Sequence, residues 1–298
     1  MEARWLPSSL NPFGDIEIAA LITFTIFPHI KTVATVQMML EDFENGLYDD
    51  KHTIVVDSSG NTAHAVARLA RAFGFSEVKV VLSVDIPESK KGILAALSSV
   101  EIIEVGASKS VSQRAKEEAQ KPGHYHLNQY CHMGNVHAHT MYTGPEIVKM
   151  LPVNFVLVAI AMGSGGTACG VGRHFKRWHP GKVVLGVRPK LGEQVPGARD
   201  SKKMADIVTL PWERYVDAVV EAGRKDSFIG MRQLWSVVEP QPGPTSGLAF
   251  KGLMHYLRGL NAEERNKLRG KTVGFICPDD GRFYSERTMG ELDPAQGL

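Results

Sequence analysis

The sequence predicts an α/β protein of two lobes, each a mostly parallel sheet covered by helices. Three observations predict it. The strand-like segments are continuous apolar runs, the pattern of strands buried on both faces. They alternate with segments of helical period, the order that parallel sheets need. The alternation comes in two blocks, before and after a segment of different composition at 125–143. A chain of 298 residues has room for one large or two modest domains.

The apolar stretch at 16–27 comes first. It is short for a membrane span and carries Glu17, so it reads as a buried segment. A helix at 32–45 sets Val36, Met39, Leu40 and Phe43 on one face and stops at Gly46. Thr53-Ile54-Val55-Val56 is a short buried strand. The helix at 64–73 places Val66, Leu69, Ala70 and Phe73 at helical spacing, with Gly74 as its stop. A strand at 78–84 follows, then a helix at 88–97 opened by Pro87, a strand at 101–105 and a helix at 110–120. The second block gives a strand at 155–161, a helix at 167–178 and a strand at 182–187. The segment 125–143 is rich in His, Asn, Tyr and Met and reads as a long connection between lobes. Gln241-Pro242-Gly243-Pro244 breaks the chain again before a helix at 245–260. The implied small lobe is 32–144, and the large lobe combines 1–31 with 145–298.

Composition narrows the function. Apolar residues at 43% and charged residues at 22% are ordinary for a globular enzyme or binding protein. A net charge of +2 gives no reason to expect a nucleic-acid or membrane partner. Cys131, Cys169 and Cys277 show no disulfide pattern, which fits a cytoplasmic protein. The N-terminus lacks the basic and apolar regions of a secretory leader.

Two small-residue loops carry the strongest chemical signal. Gly163-Ser164-Gly165-Gly166-Thr167 follows a strand and opens a helix. Its free N–H groups and the helix dipole suit a phosphate. A tight strand-to-helix turn is the plain alternative. A dinucleotide fingerprint is another, although the acidic residue expected about twenty positions later is absent and Val187-Arg188 stands at the next strand's end. Ser58-Ser59-Gly60-Asn61-Thr62 likewise opens a helix and suits a carboxylate; the alternative is a helix cap at Thr62. Lys31 follows the apolar Phe27-Pro28-His29-Ile30. A desolvated lysine gives up its proton and becomes a nucleophile, whereas most lysines are solvated. His124, His126, Cys131, His132, His137 and His139 crowd one segment. Their spacing fits no standard zinc pattern, so no metal site is expected and an active-site loop is the better reading. Arg188, Lys190 and Arg199 either bind a phosphorylated substrate or are solvated.

Taken together, these residues resemble the fold-type II pyridoxal-phosphate enzymes of the tryptophan-synthase β-like superfamily, nearest the cysteine synthase and cystathionine β-synthase branch. That branch pairs a lysine with a Ser-Gly-Asn-Thr loop about thirty residues on, as Lys31 and Ser58 to Thr62 stand here. Its phosphate loop is similar to Gly163–Thr167. Gln129-Tyr130 before Thr143-Gly144-Pro145-Glu146-Ile147 matches its Gln-Phe segment, and Gly243-Pro244-Thr245-Ser246-Gly247 resembles its late helix start. The matches run from Lys31 to Tyr284.

The resemblance implies pyridoxal 5'-phosphate as cofactor, a cytoplasmic homodimer, and an amino-acid substrate with a small nucleophile. Lys31 would hold the cofactor aldehyde and move the substrate α-proton. Gly163, Ser164, Gly165, Gly166 and Thr167 would bind the phosphate, and Asn61 the ring hydroxyl. Ser58, Ser59, Gly60, Thr62 and Gln129 would take the substrate carboxylate. The implied reaction is β-replacement on an O-activated serine or cysteine-like amino acid, through an external aldimine and an aminoacrylate. Elimination or deamination of a hydroxy amino acid and threonine-synthase-like γ-replacement are alternatives, and a non-catalytic ligand-binding relative is the reading from another class. The chain departs from the family pattern around Lys31, where Asn-Pro-x-Gly-x-x-Lys is absent and Asn11-Pro12-Phe13-Gly14 lies too early. It departs again at Asp279, which replaces a serine that faces the pyridine nitrogen. A carboxylate there either strengthens the electron sink or caps a solvated turn.

Overall fold

The computed structural model describes residues 1–58, 60–86, 88–106 and 110–284. Ser59 of the first small-residue loop and Pro87 of the predicted helix start lie outside the described residues. Among the described residues ten strands appear in chain order: β1 (Glu2–Trp5), β2 (Glu17–Ile22), β3 (Thr53–Val56), β4 (Glu77–Ser83), β5 (Val100–Val105), β6 (His124–His126), β7 (Phe155–Ala161), β8 (Val183–Pro189), β9 (Ala218–Ala222) and β10 (Thr272–Cys277). They form a six-stranded sheet, β1-β2-β10-β7-β8-β9, and a four-stranded sheet, β5-β4-β3-β6. Every pairing is parallel except β1 with β2 at the edge of the larger sheet.

The helices are α1 (Lys31–Glu44), α2 (Asn61–Leu69), α3 (Glu88–Ala95), α4 (Val111–Ala119), α5 (Met133–Ala138), α6 (Gly144–Met150), α7 (Gly166–Trp178), α8 (Ser201–Ile207), α9 (Arg224–Trp235), α10 (Pro244–Gly259) and α11 (Ala262–Lys267). One face of the larger sheet packs Ile18, Leu185 and Phe275 against Leu248, Phe250 and Leu253 of α10. Its other face packs Phe155, Val158 and Ile160 against Ile147 of α6 and Val171 and Phe175 of α7. Ile54, Val56, Val78 and Val80 of the smaller sheet meet Met38 and Met39 of α1 and Ala63 and Val66 of α2, while α4 covers Val55 and Val81 behind. Burial on both faces explains the continuous apolar runs. Among the described residues, no helix is long and apolar enough to cross a membrane.

Three expectations need correction. The segment 125–143 is no long connection. It finishes β6, which adds a parallel edge to β3, then forms α5 and a π-helical turn at His139–Thr143. An edge strand of His-Tyr-His has no apolar run, so its sequence gives no strand signal. The buried face of α1 is Thr32, Ala34, Thr35, Met38, Met39 and Asp42, while Leu40 and Phe43 are exposed. Asp42 goes inward because Tyr125 Oη and His132 Nε2 lie 2.7 and 2.8 Å from its carboxylate oxygens. Burial of a charged group is favourable only with such partners, which sequence period cannot foresee. Finally, the apolar stretch at 16–27 is strand β2 only as far as Ile22, and Ile26 and Phe27 are exposed beyond it.

Candidate active site

Lys31 is the first residue of α1, placed by a tie between its loop and the end of β10. Ile30 N–H donates to Pro278 O at 2.7 Å, and His29 bridges Asp279. This puts the lysine at the carboxyl end of a central parallel strand, where open α/β sheets bind ligands. Its Nζ donates to Ser164 Oγ at 3.1 Å. Burial, and then the positive charge of Arg199, pull the ammonium down to about 8. A sizeable fraction of this amine is therefore neutral near physiological pH, the state a nucleophile needs.

The Gly163–Thr167 loop leads from β7 into α7, and each glycine has its own reason. A Cβ on Gly163 would stand 2.2 Å from Gly197 O, and one on Gly166 would stand 2.2 Å from Asn135 Oδ1. Gly165 has φ +78°. Gly165 is also the N-cap of α7 and supplies no side-chain acceptor; Gly166 N–H donates to Ser164 Oγ at 3.4 Å, and the helix end that follows suits an anion. Ser164 is buried and also accepts from Asn135 Nδ2 at 3.0 Å. Thr167 Oγ1 lies 3.1 Å from His139 Nε2, whose ring burial holds neutral by pushing its pKa down to about 3.

The second loop opens α2 at Asn61, with Gly60 as an N-cap that has no side-chain bond. Thr62 therefore does not cap the helix. It is buried inside the first turn and donates to Gln129 Oε1 at 2.9 Å. Asn61 Nδ2 donates to Asp279 Oδ2 at 2.8 Å. Asp279 is 1% exposed, which removes the solvated-turn alternative. Its carboxylate also accepts from Tyr284 Oη at 2.7 Å and Thr245 Oγ1 at 3.3 Å. Burial pushes its carboxyl above the usual range, against the three hydrogen bonds and the charge of Lys90.

Two clefts meet at Lys31. One is lined by Lys31, Asn61, Gly163, Ser164, Gly165, Thr167, Thr245 and Asp279. The other, the larger, is lined by Lys31, Ser58, Gly60, Asn61, Thr62, Gln129, Tyr130, Lys90 and Arg199 among others. Of the predicted residues, Gly166 alone among those described lies outside both linings; it serves as the turn behind the first.

The crowded histidines line neither cleft. His126 lies 3.2 Å from Asp57, His132 faces Asp42, and His137 lies 2.9 Å from Glu41. They tie α1, β3 and α5 together, and the segment reaches the larger cleft through Gln129 and Tyr130. Among the described residues, no three metal-ligating side chains converge. Arg188 pairs with Glu221 at 3.1 Å, whereas Arg199 lines the larger cleft. Asn11 to Gly14 is a turn ahead of β2, where Asn11 Nδ2 donates to Ile16 O at 2.7 Å. Sequence reasoning missed Asn135, His64 and Lys90. They sit at unremarkable local positions and reach the site only through folding.

Comparison with known proteins gives the family. The sequence profile described as pyridoxal-phosphate dependent enzyme matches residues 30–279. The chain is 25% identical over 251 residues to a cysteine synthase of Staphylococcus aureus, covering 81% of this chain and 78% of that one. Among solved structures it is similar in fold to a hydrogen sulfide-producing enzyme of Fusobacterium nucleatum, with TM-score 0.79, 20% identity and 95% of each chain covered. It also resembles in fold an O-acetylserine dependent cystathionine β-synthase of Helicobacter pylori, with TM-score 0.78, 24% identity and coverage of 95% of this chain and 93% of that one. The profile spans most of the chain and carries Lys31, the glycine loop and the Asn61–Asp279 pair within it: the chain belongs to the pyridoxal-phosphate dependent enzymes and uses pyridoxal phosphate as its cofactor.

Proposed function

We propose that this enzyme catalyses β-replacement on an amino acid activated at its β-carbon, an O-activated serine or a cysteine-like substrate, and that Lys31 is its catalytic residue. One observation carries the reading. The half-buried Lys31 amine, 3.1 Å from Ser164 Oγ, stands where the cleft at the glycine loop and the cleft at the α2 N-terminus join.

The residues present fit the cofactor. The N-terminus of α7, where the N-cap Gly165 carries no side chain, suits its phosphate. Thr167 reaches the same cleft, and Ser164 stands between it and Lys31. Asn61 offers an amide to the ring hydroxyl, and Asp279 a buried carboxylate to the ring nitrogen. When bound, the cofactor supplies an electron sink for the substrate's α-carbon. The protein does the rest. The α2 N-terminus, with Ser58, Ser59, Gly60 and Thr62, orients the substrate carboxylate, and Gln129 holds Thr62 in place. Lys31 Nζ takes the α-proton and returns it. The Asp279 carboxylate, shielded from water, favours a protonated partner opposite it.

The same reading assigns 32–144 to a small lobe and 1–31 with 145–298 to a large one, with the clefts between them. It also makes the protein a cytoplasmic homodimer, on the family resemblance. The test is the visible spectrum of the purified protein and of Lys31→Ala, each followed through addition of O-acetylserine, O-phosphoserine, cysteine and threonine. A yellow absorption that needs Lys31 and shifts with a β-activated substrate is expected. A colourless protein that takes up no pyridoxal phosphate contradicts the reading.

A further inference from the structure

The larger cleft has an uneven charge distribution. Its lining brings three cations together, Lys31, Lys90 and Arg199, with the neutral ring of His64. Among the described residues no aspartate or glutamate lines it. Cations in a confined space repel one another and favour an anionic occupant. Lys31 is assigned above to the cofactor and the α-proton, and the α2 N-terminus to the α-carboxylate. Lys90 and Arg199 are left over.

Both are held in place. The Arg199 guanidinium donates to Tyr130 Oη and lies over the Tyr130 ring, 4.8 Å from its centroid. Tyr130 is itself buried. That contact uses one of five N–H donors, so the rest of the planar fork can serve a tetrahedral oxyanion. Among the described residues Arg199 has no carboxylate partner. Lys90, from α3 on the other side, lies 5.6 Å from the centroid of the Tyr284 ring and feels the charge of Asp279 at longer range. Burial outweighs that charge and lowers its pKa, and an anion bound beside it would favour the ammonium again. Lys90 thus comes from the helix after β4 and Arg199 from the loop after β8.

We propose that Lys90 and Arg199 form a subsite for a phosphate monoester on the substrate's β-carbon, so that this enzyme prefers a β-phosphorylated amino acid to a β-acylated one. The proposal rests on the site reading of the preceding section. In the first half-reaction the Cα–H bond yields its proton to Lys31 Nζ and its electron pair to the Cα–Cβ linkage. The Cβ–O bond breaks, and inorganic phosphate leaves with the bridging oxygen and its bonding pair. In the second half the nucleophile gives a pair to Cβ, and the proton returns from Lys31 Nζ to Cα. Lys90 and Arg199 hold the phosphate before and after the break, and a planar guanidinium with an ammonium matches its charge.

The experiment compares kcat/KM for O-phosphoserine and O-acetylserine in the cofactor-loaded enzyme, with sulfide as nucleophile, and measures inhibition by inorganic phosphate. The wild type should favour O-phosphoserine by about tenfold or more. Arg199→Met and Lys90→Met should each lower that ratio by about tenfold and raise the phosphate inhibition constant, and Arg199→Lys should recover part of both. Each variant must first show the yellow absorption, which reports an intact site. A wild type that prefers O-acetylserine, or variants that lower both substrates equally, overturns the proposal alone. So does a preference that appears only when the nucleophile bears a carboxylate, because the cations would then serve the second substrate. A wild type with no Lys31-dependent absorption overturns the site reading and this proposal with it.

Discussion

The two helix N-termini that face the clefts are built differently. At α7 the glycines are locked in: Gly163 lies against Gly197 O, Gly166 against the Asn135 amide, and Gly165 holds a left-handed φ. At α2 a Cβ on Gly60 would meet nothing within 4 Å. The first end has no freedom to yield, as suits a group bound throughout turnover. The second has room, as suits a substrate that arrives and leaves. Lys31 stands where the two clefts join and belongs to both. The contrast teaches that two loops with the same sequence flavour, small residues opening a helix, divide the work through what surrounds them.

The sharpest way to break this comparison is to add one methyl group to each end. Gly163→Ala forces a Cβ onto a backbone oxygen that no rotamer change can move. It should destabilise the protein by about 1–3 kcal/mol and, by shifting the N–H groups of α7, weaken cofactor affinity by about tenfold or more. Gly60→Ala should leave cofactor affinity near wild type, change stability by less than about 1 kcal/mol, and raise the substrate KM. Thermal unfolding with cofactor titration checks both. Equal losses of cofactor at the two positions would erase the distinction.

A pH series on the shared lysine comes next. With its ammonium pulled down to about 8, Lys31 in the cofactor-free protein gains its neutral form as pH rises and holds it above that value. Capture of pyridoxal phosphate should therefore speed up by about tenfold per unit below pH 7 and level off above about 8. A solvated lysine would go on accelerating toward about 10.4. Arg199→Gln should move the plateau upward, since the guanidinium is the second cause of the shift.

Much of this was legible in the sequence for a definite reason. Thr53–Val56 and Phe155–Ala161 are strands buried on both faces, so they read as unbroken apolar runs, and the glycine loop follows directly after the second. The Lys31 to Asn61 spacing is also local enough to read. What was illegible depends on contacts between distant residues. Asn135 matters because its amide meets Ser164, twenty-nine positions on, and Gln129 O. The inward turn of Asp42 depends on a tyrosine from β6. The histidines of 124–139 look like ligands in sequence, but folding gives most of them carboxylate partners away from the clefts. Lys90 and Arg199 lie more than a hundred positions apart and share one cleft.

A smaller effect sharpens the cofactor side of the comparison. Asp279→Ser removes the acceptor of Asn61, Tyr284 and Thr245 and the carboxylate facing that cleft. The visible absorption should change its dependence on pH, and α-proton exchange should slow by about tenfold. A spectrum unchanged at every pH would remove Asp279 from the cofactor's surroundings.

The most direct test of the central claim is to reduce the cofactor-loaded protein with borohydride, digest it and map the peptide that carries the cofactor mass. The account predicts a single label on Lys31. A label on Lys90, or a cofactor lost entirely on unfolding after reduction, would contradict it.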